Sequence, residues 1–311
     1  MANGMPVSGS IWFYAPTNIA PIPFAVLFGV SAILHLWQCA HYKAFRVTAY
    51  LPFCCTLFAA GFALREVGAF NIGNVNVYLA STLLIYMSPP ILELANYHIL
   101  GRTLYYVPYF SPIHPGRVLT TLGSLSAVVE ILNALGLAVI ALFYTLAALF
   151  HARCARAGVA HPRVRAVLYS LYASMLLILA RTIYRAVEHF AAPMVVVGGA
   201  EDAWRSLSPV IRYEWFFWVF EAAPMLVNVL MWNARHPRRY LPQSYKRYLA
   251  QDGETELDGP GWADKRNLVM TVVDPFGVVA MCEKDRRGEP FWEENGYHHV
   301  LSGKAGQQEA V

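Results

Sequence analysis

Arg181, Arg185 and Glu188 stand at i, i+4 and i+7, a spacing that sets two guanidiniums and a carboxylate on one helix face. Glu214 and Glu221 are seven apart and share a face in the same way. Both groups fall in or beside long apolar runs. A charged side chain at the middle of a membrane costs roughly 2.5 to 3.5 kcal/mol on insertion scales unless it pairs or meets water. Such residues therefore face a bundle interior and one another. Two chemistries fit Arg181, Arg185, Glu188, Glu214 and Glu221: a polar seam between two helices that binds or passes the head group of an amphiphile, or an ion-pair lock across the ends of two helices.

Four further residues are secondary candidates. Glu66 follows Arg65 at the end of an apolar run and suits a pair with it at the interface. Glu93 precedes Tyr97 by one helical turn and follows Pro89 and Pro90, which remove two backbone donors. A polar cavity under the freed carbonyls or a buried hydrogen bond to a neighbouring helix would each account for it. His35 with Ser31 matches an S-x-x-x-H spacing used by intramembrane metal hydrolases resembling alkaline ceramidases, but those need a late H-x-x-x-H pair, and the run from Tyr213 to Trp232 holds no histidine. Cys39, Cys54, Cys55, Cys154 and Cys282 are an odd count without ligand spacing, so neither a disulfide framework nor a metal site is implied. The sequence has no P-loop, no G-x-G-x-x-G and no G-x-S-x-G. The expectation is a protein that is not an enzyme, with no cofactor, no metal and no nucleic-acid partner.

The elements that must position these groups follow from the distribution of charge. Hydrophobic residues make 57% of the 311 and charged residues 14%, whereas soluble domains carry roughly 25% charged residues. The charges cluster, and the gaps between clusters are long enough to cross a bilayer. Spans are expected at Ile19 to Ala40, Val47 to Leu64, Val77 to Leu100, Val164 to Tyr184 and Tyr213 to Trp232. The basic connections hold Lys43 and Arg46, then Arg102 and Arg117, then Arg153, Arg156, Arg163 and Arg165, then Arg235, Arg238 and Arg239. The positive-inside bias places all of these in the cytosol and the N-terminus outside.

Residues 118 to 150 lie between two basic loops and must cross an even number of times, yet they are short for two crossings. A tight hairpin of two short helices turning near Asn133 to Gly136 is favoured over a segment that never fully crosses. Glu130 is the one formal charge there. Beyond Arg235 the chain becomes polar, with one apolar stretch, Leu268 to Met281, that suits a short hairpin around Pro275 and Gly277. The division expected is an extracellular N-terminus over 1–18, a transmembrane helical domain over 19–233 and a polar cytosolic tail over 234–311.

In order along residues 11 to 242, these motifs resemble the fungal RTA-type lipid-translocating exporter family. The resemblance is carried by Tyr14-Ala15-Pro16 with Asn18, His35, Arg65-Glu66-Val67-Gly68, Asn96-Tyr97, and Leu100-Gly101-Arg102. It is strongest at Arg181-Thr182-Ile183-Tyr184-Arg185-Ala186-Val187-Glu188, similar to an R-x-x-[YF]-R-x-x-E signature, and at Tyr213 through Glu221 to His236-Pro237. Glu221 stands where the family more usually has Asp. The resemblance implies seven spans, N-terminus outside and C-terminus inside, with no cofactor. It also implies that about 30 residues around Leu135 to His151 are missing, which shortens the fourth and fifth spans. The function implied is movement of, or tolerance to, amphipathic lipids such as sphingoid bases or aminosterols, at the plasma membrane. The alternative class is a seven-helix lipid-sensing receptor or stress-response membrane protein that signals through its tail. In either case the partners are membrane lipids or amphipathic small molecules, and the sequence does not fix an oligomeric state.

Overall fold

A computed structural model describes residues 12, 16–113, 118, 122, 136–159, 161–191, 208–244, 246–250, 253 and 255–259. Among the described residues, six helices are long and apolar enough to cross a membrane. They are α1 (Pro21–His41), α2 (Tyr50–Phe70), α3 (Val75–Tyr106), α4 (Gly136–Arg156), α5 (Pro162–Ala191) and α6, whose segments are Trp215–Phe217, a π-helical turn Trp218–Ala222, and Ala223–Ala234. The chain is thus a multi-pass α-helical membrane protein. Helices α1, α2 and α4 are 21 residues each, about 31 Å at 1.5 Å per residue, the thickness of the hydrocarbon layer.

Local chemistry sets the ends. Prolines at the starts of α1 and α5 carry no N–H where a helix has no acceptor for one. Asn74 caps α3 by accepting from the amides of Asn76 at 3.1 Å and Val77 at 3.3 Å. α3 runs through Pro89 and Pro90 as one element of 32 residues. Large apolar side chains such as Val26, Ile33, Trp37, Leu83, Leu176 and Val227 point outward. In water that would be a liability, but in a bilayer it is the solvent-facing surface.

The interior is aromatic at one end and hydrogen-bonded in the middle. α2 packs against both α1 and α3, with Phe28 stacked on Phe58 at 4.5 Å and on Phe62 at 5.6 Å between ring centroids. Gly61 permits the close approach of α2 to α3, because a Cβ there would sit 2.7 Å from Cγ1 of Ile85 and 3.2 Å from its backbone nitrogen. Deeper in the bundle, Ser174 of α5 receives the Asn96 amide of α3 at 2.8 Å and the Trp232 indole of α6 at 3.2 Å. Asn228 of α6 returns a bond to the Ser174 carbonyl at 3.0 Å. All four side chains are fully buried, so three helices meet on one hydroxyl.

The segment read as two short helices differs. From Gly136 it forms the full-length helix α4, which continues past His151 and carries Arg153 and Arg156 in its last turn, not in a loop. The fifth span is therefore not shortened. The apolar run simply uses residues that their charge had assigned to the connection, and arginines at a helix C-terminus are favoured by its dipole. Residues 119–121 and 123–135, with Glu130, lie outside the described residues, and so does the hairpin expected at Leu268 to Met281. The tail nonetheless holds a hairpin earlier than expected: Arg247–Leu249 pairs antiparallel with Glu256–Asp258. Arg102 on α3 donates to the carbonyls of Ser244 at 2.7 Å and Arg247 at 3.2 Å, and Tyr106 donates to Glu256 at 3.0 Å. Tyr248, Leu249 and Ala250 are buried as a result.

Two consequences can be measured on purified protein. Gly61→Ala is expected to lower stability by about 1–3 kcal/mol through overpacking, whereas Gly29→Ala, where a Cβ meets nothing within 4 Å, leaves the thermal midpoint in detergent unchanged or slightly raised. Arg102→Ala is expected to release residues 241–259, seen as faster cleavage there in limited proteolysis while the helices stay protected.

Candidate functional site

Glu221 lies on the π-helical turn of α6 with its side chain wholly buried. Its carboxylate accepts Nε of Arg181 at 3.1 and 3.0 Å and Nε of Arg185 at 2.7 Å. The two arginines, one turn apart on α5, thus close on a single carboxylate. Arg185 extends the set outward: its Nη1 donates to the Tyr86 hydroxyl of α3 at 2.7 Å and also to Glu188. The guanidinium lies 4.1 Å from the Tyr86 ring centroid, a cation–π distance. Burial rises inward along this line, from Glu188 at 30% side-chain exposure to Arg185 at 12% and Glu221 at 0%. Two positive and two negative charges cancel, which is the condition for keeping them in an apolar span.

Glu214 does not join that group. It pairs with Arg65 of α2 at 3.0 Å and accepts the Thr17 amide at 2.8 Å and hydroxyl at 2.6 Å. The reading of Glu214 and Glu221 as one face assumed an unbroken α-helix. The wider π turn at Trp218–Ala222 unwinds the register between them and aims the two carboxylates at different helices. Arg65 is correspondingly not paired with Glu66. Glu66 instead accepts the backbone N–H of Ile19 at 3.2 Å on both oxygens. Arg65 is almost fully buried under aromatic faces, with Trp12 at 4.5 Å, Phe217 at 4.1 Å and Trp218 at 5.3 Å. Phe217 is also 6.0 Å from Arg185, so one ring separates two ion-pair groups at the same end of the bundle. Trp12, Thr17 and Ile19, ahead of α1, all make their contacts at that end.

The remaining candidates fall elsewhere. Tyr97 donates to Glu93 at 2.9 Å within α3 itself, so Glu93 has a hydrogen-bond partner one turn along its own helix. His35 Nε2 bonds the Val229 carbonyl at 3.2 Å, and Ser31 receives the Asn233 amide, joining α1 to α6 near the opposite end. Cys54 donates to the Ser88 carbonyl at 3.2 Å and Cys55 contacts Ser31 at 3.6 Å. The spacing analysis missed Arg65 as a partner of Glu214, Tyr86 as a partner of Arg185, and the Ser174 junction. Arg65 had a readable signal, a lone cation beside an apolar run. Tyr86 and Ser174 had none, since uncharged residues interrupt no hydropathy pattern.

Residues 131–244, which hold α4, α5 and α6 and every charge of the Glu221 group, match the family model described as RTA1 like protein. A lipid-translocating exporter-like protein RTA1 of Leptosphaeria maculans is 39% identical over 90% of this chain, which spans 61% of that relative's length. A protein of the same description from Ajellomyces capsulatus is 28% identical over 73% of the chain and 80% of the relative. A probable lipid transporter, atnI, of Emericella nidulans is 24% identical over 75% of the chain and 69% of its own length. No solved structure matches the chain at a significant level. Across its last three long helices and the charged cluster within them, residues 131–244, the chain carries the region that the RTA1-like protein family model describes.

Proposed function

We propose that this protein is a lipid exporter-like transporter, not an enzyme, that moves an amphipathic lipid with an amine-bearing head, such as a sphingoid base or aminosterol, across the plasma membrane. The observation that carries this reading is the graded line of alternating charge from Glu188 at the edge of the bundle through Arg185 to the wholly buried Glu221 and its second partner Arg181. An ammonium head arriving from the lipid side meets Glu188 first. By taking that carboxylate it displaces one bond of Arg185, and the guanidinium keeps Glu221 and Tyr86 as partners. The head is therefore exchanged between carboxylates without a bare charge entering hydrocarbon. Relatives described as lipid-translocating or as a probable lipid transporter support the same class of cargo.

Orientation follows from charge. Lys43, Arg102, Arg153, Arg156, Arg163, Arg165, Arg235, Arg238, Arg239 and Arg247 all belong to the end where α1, α3, α4 and α6 finish and α5 begins. We place that end in the cytosol and the Arg65–Glu214 and Arg185–Glu221 groups at the outer half. The chain has no Walker motif, so the driving force is a gradient, or the lipid flips passively. The tail hairpin docked on Arg102 and Tyr106 favours one other reading, a lipid-sensing receptor that signals through its tail.

In reconstituted vesicles with a fluorescent sphingoid base, Glu188→Gln is expected to slow flux roughly tenfold or more, the effect of losing one charged hydrogen bond of about 1.5–3 kcal/mol, and Arg185→Ala, which loses its bonds to Glu221, Tyr86 and Glu188, to slow it further. Unchanged flux in both, at equal folded protein, overturns the assignment. Removing residues 246–311 is expected to leave flux intact. Ligand binding without any flux, in the full chain, would instead establish the receptor.

A further inference from the structure

Near the basic end, α1 and α6 run side by side and present to each other a second polar surface unrelated to the ion pairs. His35 and Gln38 of α1 face Val229 and Asn233 of α6, with His236 just beyond. His35 and His236 are fully buried, and Gln38 and Asn233 are 6% and 8% exposed. Each uses only part of its bonding capacity. Gln38 donates to the Asn233 carbonyl at 2.8 Å, and its Oε1 has no partner among the described residues. Asn233 donates to Ser31, and its Oδ1 is likewise unpartnered. His35 turns Nε2 to the Val229 carbonyl, which can only accept, so Nε2 carries the hydrogen and Nδ1 is left bare. His236 accepts the Arg238 amide at Nδ1 with 3.3 Å between nitrogens, so its Nε2 carries a hydrogen that goes unused. Three acceptors and one donor are thus left open along one seam. A buried group without a partner is costly, and four in one place call for an occupant.

The charge around the seam restricts what that occupant is. His35, Arg238 and Arg239 are the titratable side chains acting on His236, and none of them is an anion. Among the described residues no carboxylate is bonded to the seam. An ammonium head lacks a counter-charge there, and a phosphate meets bare acceptors. A hydroxyl fits, since it donates to an acceptor and accepts from the His236 N–H. Depth agrees: His35 and Gln38 lie within two turns of the end of α1 at His41, about 5–9 Å along the axis, the level of the glycerol region of a leaflet. We propose that His35, Gln38, Asn233 and His236 form a lipid site that holds the uncharged hydroxyl-bearing head of a membrane lipid against the α1–α6 seam.

The site is separate from the outer ion pairs, and its test does not require transport. Purified full-length protein in detergent is titrated with monooleoylglycerol, with methyl oleate, which has the chain but no hydroxyl, and with oleylamine. Monooleoylglycerol is expected to raise the thermal midpoint saturably by about 2–4 °C, with no comparable rise from the other two. The shift is lost in Gln38→Leu and in His236→Phe, which keeps a ring against Tyr42, and either folded variant suffices. The proposal is overturned if monooleoylglycerol acts no differently from methyl oleate, as it will if water alone fills the seam. A larger shift with oleylamine, or a full shift retained in both variants, also overturns it.

Discussion

The ion-paired end of this bundle is organised around one carboxylate with no access to solvent. Glu221 is tolerable inside an apolar helix because two arginines of α5 share it. Arg181 in turn is tolerable because of Glu221, while Arg185 shares that carboxylate and also bonds Glu188 and Tyr86. Take away either side and a charge of one sign is left in a low-dielectric interior, where a broken pair costs about 3–5 kcal/mol. This mutual requirement fixes α5 against α6, and through Tyr86 it ties α3 to both. The Arg65–Glu214 pair does the same for α2 and α6, with Phe217 between the two groups. Five of the six long helices are therefore joined by charge, by the Ser174 junction or by the His35 seam, and α4 packs on α5 through Tyr144 and Tyr172.

The polar interactions divide by depth. The buried ion pairs occupy one end, hydrogen bonds among Asn96, Ser174, Asn228 and Trp232 occupy the middle, and the His35 to His236 seam lies toward the basic end. Charges are cheapest near an interface, and neutral amides and hydroxyls can be satisfied at depth.

The helical class and the span positions were legible because charge cannot be scattered through hydrocarbon. The gaps between Arg46, Arg65 and Arg102 therefore mark helices by themselves. Arg181, Arg185 and Glu188 were legible as one face from spacing, and the structure brings Glu221 to them. Glu214 was misassigned because seven-residue spacing presumes α-helical turns, and a π turn lies between it and Glu221. Its true partner is 149 residues away in sequence, a pairing that no local pattern encodes. The α4 helix was read as shortened because Arg153 and Arg156 look like loop charges, although they extend a helix whose last turn emerges from the bilayer. The docking of 247–258 on α3 was hidden for a related reason: a polar tail reads as solvated, and its attachment is made largely through backbone carbonyls.

The central claim is that Glu221 and Arg181 are mutually compensating buried charges, with Arg185 able to fall back on Glu188 and Tyr86. The most direct test is the thermal stability in detergent of Arg181→Met, Glu221→Met and the double variant. The account requires the double variant to melt above both single variants, because it removes one charge of each sign and leaves Arg185 with Glu188. Additive losses, with the double variant least stable of the three, would contradict it.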